Sequence, residues 1–252
     1  MLLSPVFFLV DFWVYFRVRL FWGEKGLERN MRGKISEGVF VREGRRYLLY
    51  LLPFLLSLFI FLLCEGLISE EICHEMYSPI DDLIPFAEGF VVFYVLWYFM
   101  IIGSLIWFGM YSRESFRDLL VFMTLCQLVA IVIFIIYPNK QTLRPEVLPR
   151  ANGFSALVGL IHSVDTNTNV CPSLHVAYSF AMASVWAKER RASLTFKWVM
   201  GVACLMVCLS TVFIKQHSVV DIFVALVMCI LIEIVIYRRF WKELFTNMGK
   251  NK

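Results

Sequence analysis

Three short polar clusters interrupt an otherwise apolar chain, and the residue types in them suit chemistry on a charged oxyanion. Gln141-Thr142-Leu143-Arg144-Pro145 comes first and Cys171-Pro172-Ser173-Leu174-His175 second; the third is Ser210-Thr211 followed by Lys215-Gln216-His217 and Asp221. His217 and Asp221 stand at i and i+4, so on a helix the carboxylate holds the imidazole by one nitrogen. The other nitrogen is left to attack or to shuttle a proton. Pro172 is placed to open a helix, which would turn the free N–H groups around Ser173 and Leu174 outward as an anion site, with the Ser173 hydroxyl as a further donor. Arg144 offers a planar fork that matches two phosphate oxygens. Each cluster alone has a plainer reading: a histidine at a span end makes interfacial hydrogen bonds, and Arg-Pro is a turn. Two histidines at the outer ends of different spans, each with Ser or Asp at helical spacing, favour the chemical reading.

What must position these residues is a membrane bundle. The 252 residues are 60% hydrophobic and 17% charged, with 24 Phe, 7 Trp and 10 Tyr, and the mean hydropathy is +0.71. Such a chain can neither cover a water-soluble globule with polar surface nor stay unfolded in water, which excludes a soluble enzyme and a disordered protein. The net charge of +4 then reads as a topology signal, with no nucleic-acid partner. Crossing about 30 Å of hydrocarbon takes about 20 mostly apolar residues. Such runs lie at Tyr47 to Cys64, Phe90 to Tyr111, Leu119 to Tyr137 and Ser218 to Tyr237. Two shorter runs, Ser173 to Ala187 and Trp198 to Ile214, carry Ser, His or Lys at one end, as spans do where that end opens on a polar pocket.

The predicted architecture is all-α: a polytopic six-transmembrane-helix bundle over residues 47–237, with a cytoplasmic or interfacial region 1–46 before it and a cytoplasmic tail 238–252 after it. Pro5 to Phe16 is too short to span, contains Asp11 and meets Arg17 and Arg19. It is predicted to be an amphipathic segment in the interface and not a signal peptide. Of the 24 Lys and Arg, nine precede the first span, two lie between the second and third, four between the fourth and fifth, and five after the sixth. The four that remain, Lys140, Arg144, Arg150 and Lys215, fall on the other side. Both termini are therefore expected in the cytoplasm of a cell-membrane protein, and the polar clusters outside.

Arg144-Pro145, Pro172-Ser173-Leu174-His175 and Ser210 with His217 and Asp221 resemble the three signatures of the type 2 phosphatidic acid phosphatase superfamily, over roughly Leu119 to Tyr237. The resemblance implies a six-helix core whose site faces outward. It implies His217 as the nucleophile on phosphorus, Asp221 as its orienting carboxylate, His175 as the acid that protonates the leaving oxygen, and Arg144, Ser173 and Ser210 around the phosphate. It implies no metal and no cofactor; two histidines and one carboxylate are better used on each other than on zinc. The expected substrate is a lipid phosphomonoester or diphosphate hydrolysed through a phosphohistidine.

Two positions depart from the pattern. Tyr137 stands where the first signature usually has Lys, and Thr211 where the third has Arg. Lys140 and Lys215 are candidates to replace these cations. Thinned signatures are similar to those of the lipid phosphotransferase branch, the inositol phosphorylceramide and sphingomyelin synthases, which move a phospho-head group between lipids. A transporter would need polar groups at several depths; here the span interiors are clean except for Glu233, which is expected to snorkel toward Arg238 and Arg239. A lipid-binding relative without activity fits less well, since both histidines and Asp221 are present.

Two outer features stay open at this stage. Cys73 and Cys171 both fall in outer loops, where an oxidising compartment permits a disulfide. Glu65 to Glu88 holds seven acidic residues and no Lys or Arg. It is either a solvated loop or, from Ser78-Pro79-Ile80-Asp81-Asp82 onward, a short capped helix roofing the site.

Overall fold

A computed structural model describes residues 37–238. Two units are distinguished, residues 1–53 and residues 54–252. The described part of the first is the N-terminal half of helix α1, Glu37–Leu67, which contains Pro53. The rest of α1 and every other described element belong to the second unit. The proposed interfacial segment Pro5 to Phe16 and the tail beyond Arg238 lie outside the described residues.

After α1 the chain forms a two-residue strand β1, His74–Glu75, and a short helix α2, Pro79–Leu83. Helices α3, Val91–Tyr111, and α4, Arg113–Ile136, follow. Strand β2, Asn139–Lys140, precedes α5, Gly153–Val164. The last three helices are α6, Leu174–Lys188, α7, Leu194–Phe213, and α8, Val219–Ile236. Serine caps five of these helices by accepting an N–H of the first turn: Ser78 for α2, Ser112 for α4, Ser173 for α6, Ser193 for α7 and Ser218 for α8. Each hydroxyl meets a backbone donor that has no partner within its own helix.

Among the described residues five helices are long and apolar enough to cross a membrane: Tyr47–Leu67 within α1, Glu88–Tyr111 including α3, then α4, α7 and α8. Ser173 to Ala187, the sixth span expected, is not among them. Helix α6 has 15 residues, about 22 Å at the usual rise, against the roughly 30 Å of a hydrocarbon core. The physical reason is its place. Helix α6 packs against α4, α7, α8 and α3, so it lies inside the bundle and need not match the lipid thickness. Most of its residues are buried, among them Val176, Tyr178, Ala181, Met182 and Trp186, while Phe180, Ala183, Ser184 and Ala187 form one partly exposed face.

Two polar ties fix the bundle within the second unit. Trp186 Nε1 donates to Ser104 Oγ at 2.9 Å, joining α6 to α3, and Ser57 Oγ donates to Gln127 Oε1 at 2.8 Å, joining α1 to α4. Glu233 is 6% exposed and receives Lys188 Nζ at 2.5 Å and Ser184 Oγ at 2.6 Å. Among the described residues its cation is Lys188 from α6, one helix away; Arg239 lies outside the described residues.

The ends of α1, α4 and α7 and the starts of α3, α6 and α8 meet on one face. There β1 pairs in parallel with β2, His74 opposite Asn139 and Glu75 opposite Lys140, and Lys140 bridges to Thr168. Helix α5 rests on the same face, its Val158 packed with Val91, Tyr94 and Ile214. Its start is tied down by Arg150 and Asn152, which donate to Glu88 at 2.8 and 3.1 Å. The acidic segment resolves in favour of the capped helix. Ser78 and Asp81 form a capping box on α2, and Asp81 is 2% exposed.

Candidate active site

The third cluster folds into a tight turn between α7 and α8. The N–H groups of Gln216 and His217 both donate to Thr211 O, at 2.8 and 3.1 Å, and Lys215 adopts a left-handed φ of 59°, uncommon for a residue with a Cβ. The turn delivers His217 to the start of α8. Ser218 caps that helix and forms a capping box in which its N–H donates to Asp221 Oδ2 at 2.9 Å. His217 Nδ1 meets the same Oδ2 at 3.2 Å. Asp221 is fully buried, and its Oδ1 has no hydrogen-bond partner. The Cys171 thiol lies beside this carboxylate; burial first, and the Asp221 charge second, push its pKa up to about 12. Cys73 and Cys171 are both free thiols.

The second cluster approaches from α6. Pro172 stands before the cap, not at the first helical position expected of it, because Ser173 itself is the N-cap and accepts Val176 N–H at 3.4 Å. Ser173 N–H donates to Asp221 O at 3.3 Å, which joins the start of α6 to the first turn of α8. His175 follows in the first turn. Its ring lies 4.3 Å from both Tyr94 and Trp97, centroid to centroid, and 5.7 Å from His217. Its Nε2 is buried without a partner.

Arg144 comes from the loop after α4 and enters behind this pair. Nη1 donates to His162 O at 2.9 Å, and Nη2 to Asp165 O, Thr166 O and Gln216 Oε1 at 2.7, 2.8 and 3.0 Å. Nε remains buried and unpartnered. Most of its fork thus closes the C-terminal end of α5 onto the His217 turn. His162 completes that closure, its Nε2 at 3.0 Å from Ile214 O. Burial, and then Arg144, hold the His162 pKa below the ordinary imidazole range, so the ring is neutral at pH 7 and donates.

The remaining sequence candidates lie apart from the histidine pair. Ser210 Oγ is spent within its own helix on Val207 O at 2.6 Å, as serines in apolar helices commonly are. Lys215 Nζ donates to Asp81 O at 2.7 Å. Lys140 Nζ faces Glu70 at 3.4 Å, and Asn167 together with Lys140 holds the Glu70 carboxyl below its usual range.

Several participants escaped the reading of the sequence. Asp81 reaches from α2 to the start of α8, where its oxygens accept Ser218 Oγ at 2.6 Å and Val219 N–H at 2.8 Å. Its signal was present: Ser78-x-x-Asp81 has the spacing of Ser218-x-x-Asp221. Tyr94, Trp97 and Tyr98, at helical spacing on α3, surround His175. The Tyr94 hydroxyl donates to Asp165 Oδ2. His175 and His217 open on a cleft that also includes Phe61, Glu65, Asp165, Asn169 and Gln216. Among the described residues no group of three or more His, Cys, Asp or Glu could hold a metal ion.

The starts of α8 and α6 thus bring His217 and His175 together at the cleft. No curated protein and no solved structure matches the chain. A family model does, over residues 119–245, which takes in α4 to α8 and every residue of the three polar clusters. Since that match spans half of the chain and all of its candidate chemistry, the protein belongs to the PAP2 superfamily, whose members are phosphatases or phosphotransferases acting on phosphate esters.

Proposed function

We propose that the protein is a membrane lipid phosphatase that hydrolyses a lipid phosphomonoester or diphosphate through a phosphohistidine at His217. The supporting observation is the buried pair: His217 Nδ1 on Asp221 at 3.2 Å, with His175 centred 5.7 Å away and its Nε2 unpartnered. Asp221 orients the imidazole so that Nε2 presents its lone pair to phosphorus. As the P–N bond forms, the P–O bond to the leaving group breaks and His175 gives that oxygen a proton. Water then attacks phosphorus, the P–N bond breaks, and His175 takes up the water proton. Donors for the phosphoryl oxygens come from the start of α6 at Ser173 and from Arg144, directly or through Gln216. Lys215, Lys140 and Ser210 are further candidates.

The test is phosphohistidine trapping. Purified protein in nanodiscs, given phosphatidic acid and lipid diphosphates and quenched under alkali, should carry phosphate on His217 by mass spectrometry, and His217→Ala should carry none. Near-normal turnover by His217→Ala overturns the reading.

A second reading is favoured by one observation: among the described residues lining the cleft are two carboxylates, Glu65 and Asp165, and no Lys or Arg. Such a wall suits a singly charged phosphodiester better than a dianion. With a lipid hydroxyl replacing water in the second step, the enzyme is a phosphotransferase that moves a phospho-head group between lipids. Mass spectrometry of products separates phosphate release from head-group exchange.

The protein is a multi-pass membrane protein. We propose that both termini are cytoplasmic and the cleft faces outward in the cell membrane, on the partition of Lys and Arg. Gly153, where an added Cβ meets nothing within 4 Å, is the place for a cysteine probe. Labelling only from the cytoplasmic side reverses the orientation.

A further inference from the structure

To act on the leaving oxygen His175 has to carry a proton, and its surroundings work against that charge. The residue is 9% exposed, and its ring is enclosed by Tyr94, Trp97 and Tyr98, with centroids 4.3, 4.3 and 6.5 Å away. Burial among such rings favours the neutral imidazole, and His217, 5.7 Å away, opposes a second positive charge once phosphorus is bound to it. The attraction of a ring face for a cation, about 1 to 2 kcal/mol, returns only part of the several kcal/mol that desolvation costs. A buried acid of this kind needs an anion beside it.

One carboxylate is placed to supply that charge. Asp165, which ends α5, lines the cleft together with His175 and His217 and lies within electrostatic reach of His175. Its Oδ2 accepts the hydroxyl of Tyr94, the fully buried residue whose ring rests against His175. Tyr94 therefore touches both and holds the carboxylate beside the imidazole. The main chain of Asp165 is fixed separately: its N–H donates to Ile161 O at 2.8 Å and its carbonyl accepts Arg144 Nη2 at 2.7 Å. Among the described residues no Lys or Arg forms an ion pair with its side chain.

Resting on the phosphohistidine reading above, we propose that Asp165 is a positioning residue for the acid step: held by Tyr94, its carboxylate keeps His175 protonated, so that the Nε2 proton of His175 passes to the leaving oxygen as the P–O bond breaks. Asp165 takes up no proton and forms no bond to phosphorus. It acts through His175.

The test compares two phosphomonoesters with full-length protein in nanodiscs. Dodecyl phosphate has an alkoxide that leaves only with a proton; 4-nitrophenyl phosphate has a phenolate that leaves without one. The quantity read is kcat/KM, which covers the steps up to departure of the leaving group. His175→Ala should lose about a hundredfold or more on the dodecyl ester, the scale of a positioned general acid, and less than about fivefold on the nitrophenyl ester. Asp165→Asn keeps the shape and the main-chain bonds and should show the same contrast, with a loss of about thirtyfold on the dodecyl ester. Tyr94→Phe should show a weaker one, of about fivefold. In the double variant, Asp165→Asn should cost nothing beyond His175→Ala. Turnover of the nitrophenyl ester retained in each variant reports that it is folded. Equal losses on both esters for Asp165→Asn mean that its side chain is structural and overturn the assignment, as do additive losses in the double variant. Phosphohistidine trapped on His217 together with equal losses defeats the role of Asp165 alone. A leaving-group contrast with no phosphohistidine defeats the nucleophile and leaves Asp165 on the acid.

Discussion

Ser78-Pro79-Ile80-Asp81 and Ser218-Val219-Val220-Asp221 repeat one capping box on the same face of the bundle, and their carboxylates end in opposite situations. Asp81 is saturated. Its Oδ2 accepts Ser78 N–H and Ser218 Oγ, its Oδ1 accepts Val219 N–H, and its main-chain carbonyl holds Lys215 Nζ. Asp221 shares Oδ2 between Ser218 N–H and His217 Nδ1 and keeps Oδ1 unpaired, at no exposure to water. A carboxylate with both oxygens engaged by fixed donors is a clamp. One left short of donors in a dry site strongly favours positive charge close by, and in the proposed reaction His217 takes on that charge as its Nε2 bonds to phosphorus. The box itself is the same; what differs is the residue before it, His217 against Tyr77, and that Asp81 also reaches the start of α8 whereas Asp221 stays with His217 and Ser218.

Breaking the unsaturated box should have the largest effect. His217→Ala is expected to abolish turnover, and Asp221→Asn to reduce kcat on the order of a thousandfold or more by losing the imidazole's orientation and the charge that stabilises it. Thermal unfolding in detergent should change far less than activity for both variants. If Asp221→Asn loses stability in proportion to activity, Asp221 is a second clamp and the contrast fails.

Breaking the saturated box should reverse that pattern. Asp81→Ala leaves Ser218 Oγ, Val219 N–H and Ser78 N–H without their acceptor, at about 3 kcal/mol in unfolding free energy for hydrogen bonds to a charged group. Its kcat should fall by only about tenfold, through a loosened start of α8. Denaturant midpoints measured beside initial rates check this. A thousandfold kcat loss with unchanged stability would place Asp81 in the chemistry.

Lys215 sharpens the comparison, since its ammonium lies on the clamp. Lys215→Met should lower turnover by less than about tenfold if the ammonium only pins the turn to Asp81, and by about a hundredfold if it moves onto phosphate, a difference near 1.4 kcal/mol in transition-state stabilisation. Full kinetics on a phosphomonoester decide between them.

The smallest expected effect is at Cys171, beside Asp221 and not Asp81. With a pKa pushed up to about 12 by burial and then by that carboxylate, its thiol stays neutral up to pH 10 in the folded protein, because a raised pKa extends the protonated form upward. Iodoacetamide should leave Cys171 unmodified at pH 8 and modify it once the protein is denatured. Modification of the native protein at pH 8 would mean that Asp221 is more hydrated than its burial indicates.

Much of this protein was legible without coordinates. Composition and runs of apolar residues give a polytopic helical membrane protein, because lipid leaves helices as the means of satisfying backbone groups in such runs. The His217 to Asp221 spacing gives the pair, although the structure makes it through the capping turn, with His217 ahead of Ser218, and not across a helix face; the PAP2 signatures give the family. Tertiary structure decided the rest. Only packing shows that α6, with 15 residues, lies against α3, α4, α7 and α8. Only packing puts Lys188 on Glu233, two residues 45 apart in sequence, and turns most of the Arg144 fork toward carbonyls at the end of α5. Charge and periodicity specify what a side chain is able to do and which face of its own element it occupies. The partner it finds across 60 or 130 residues depends on how helix ends converge, and that information is absent from any local window of the chain.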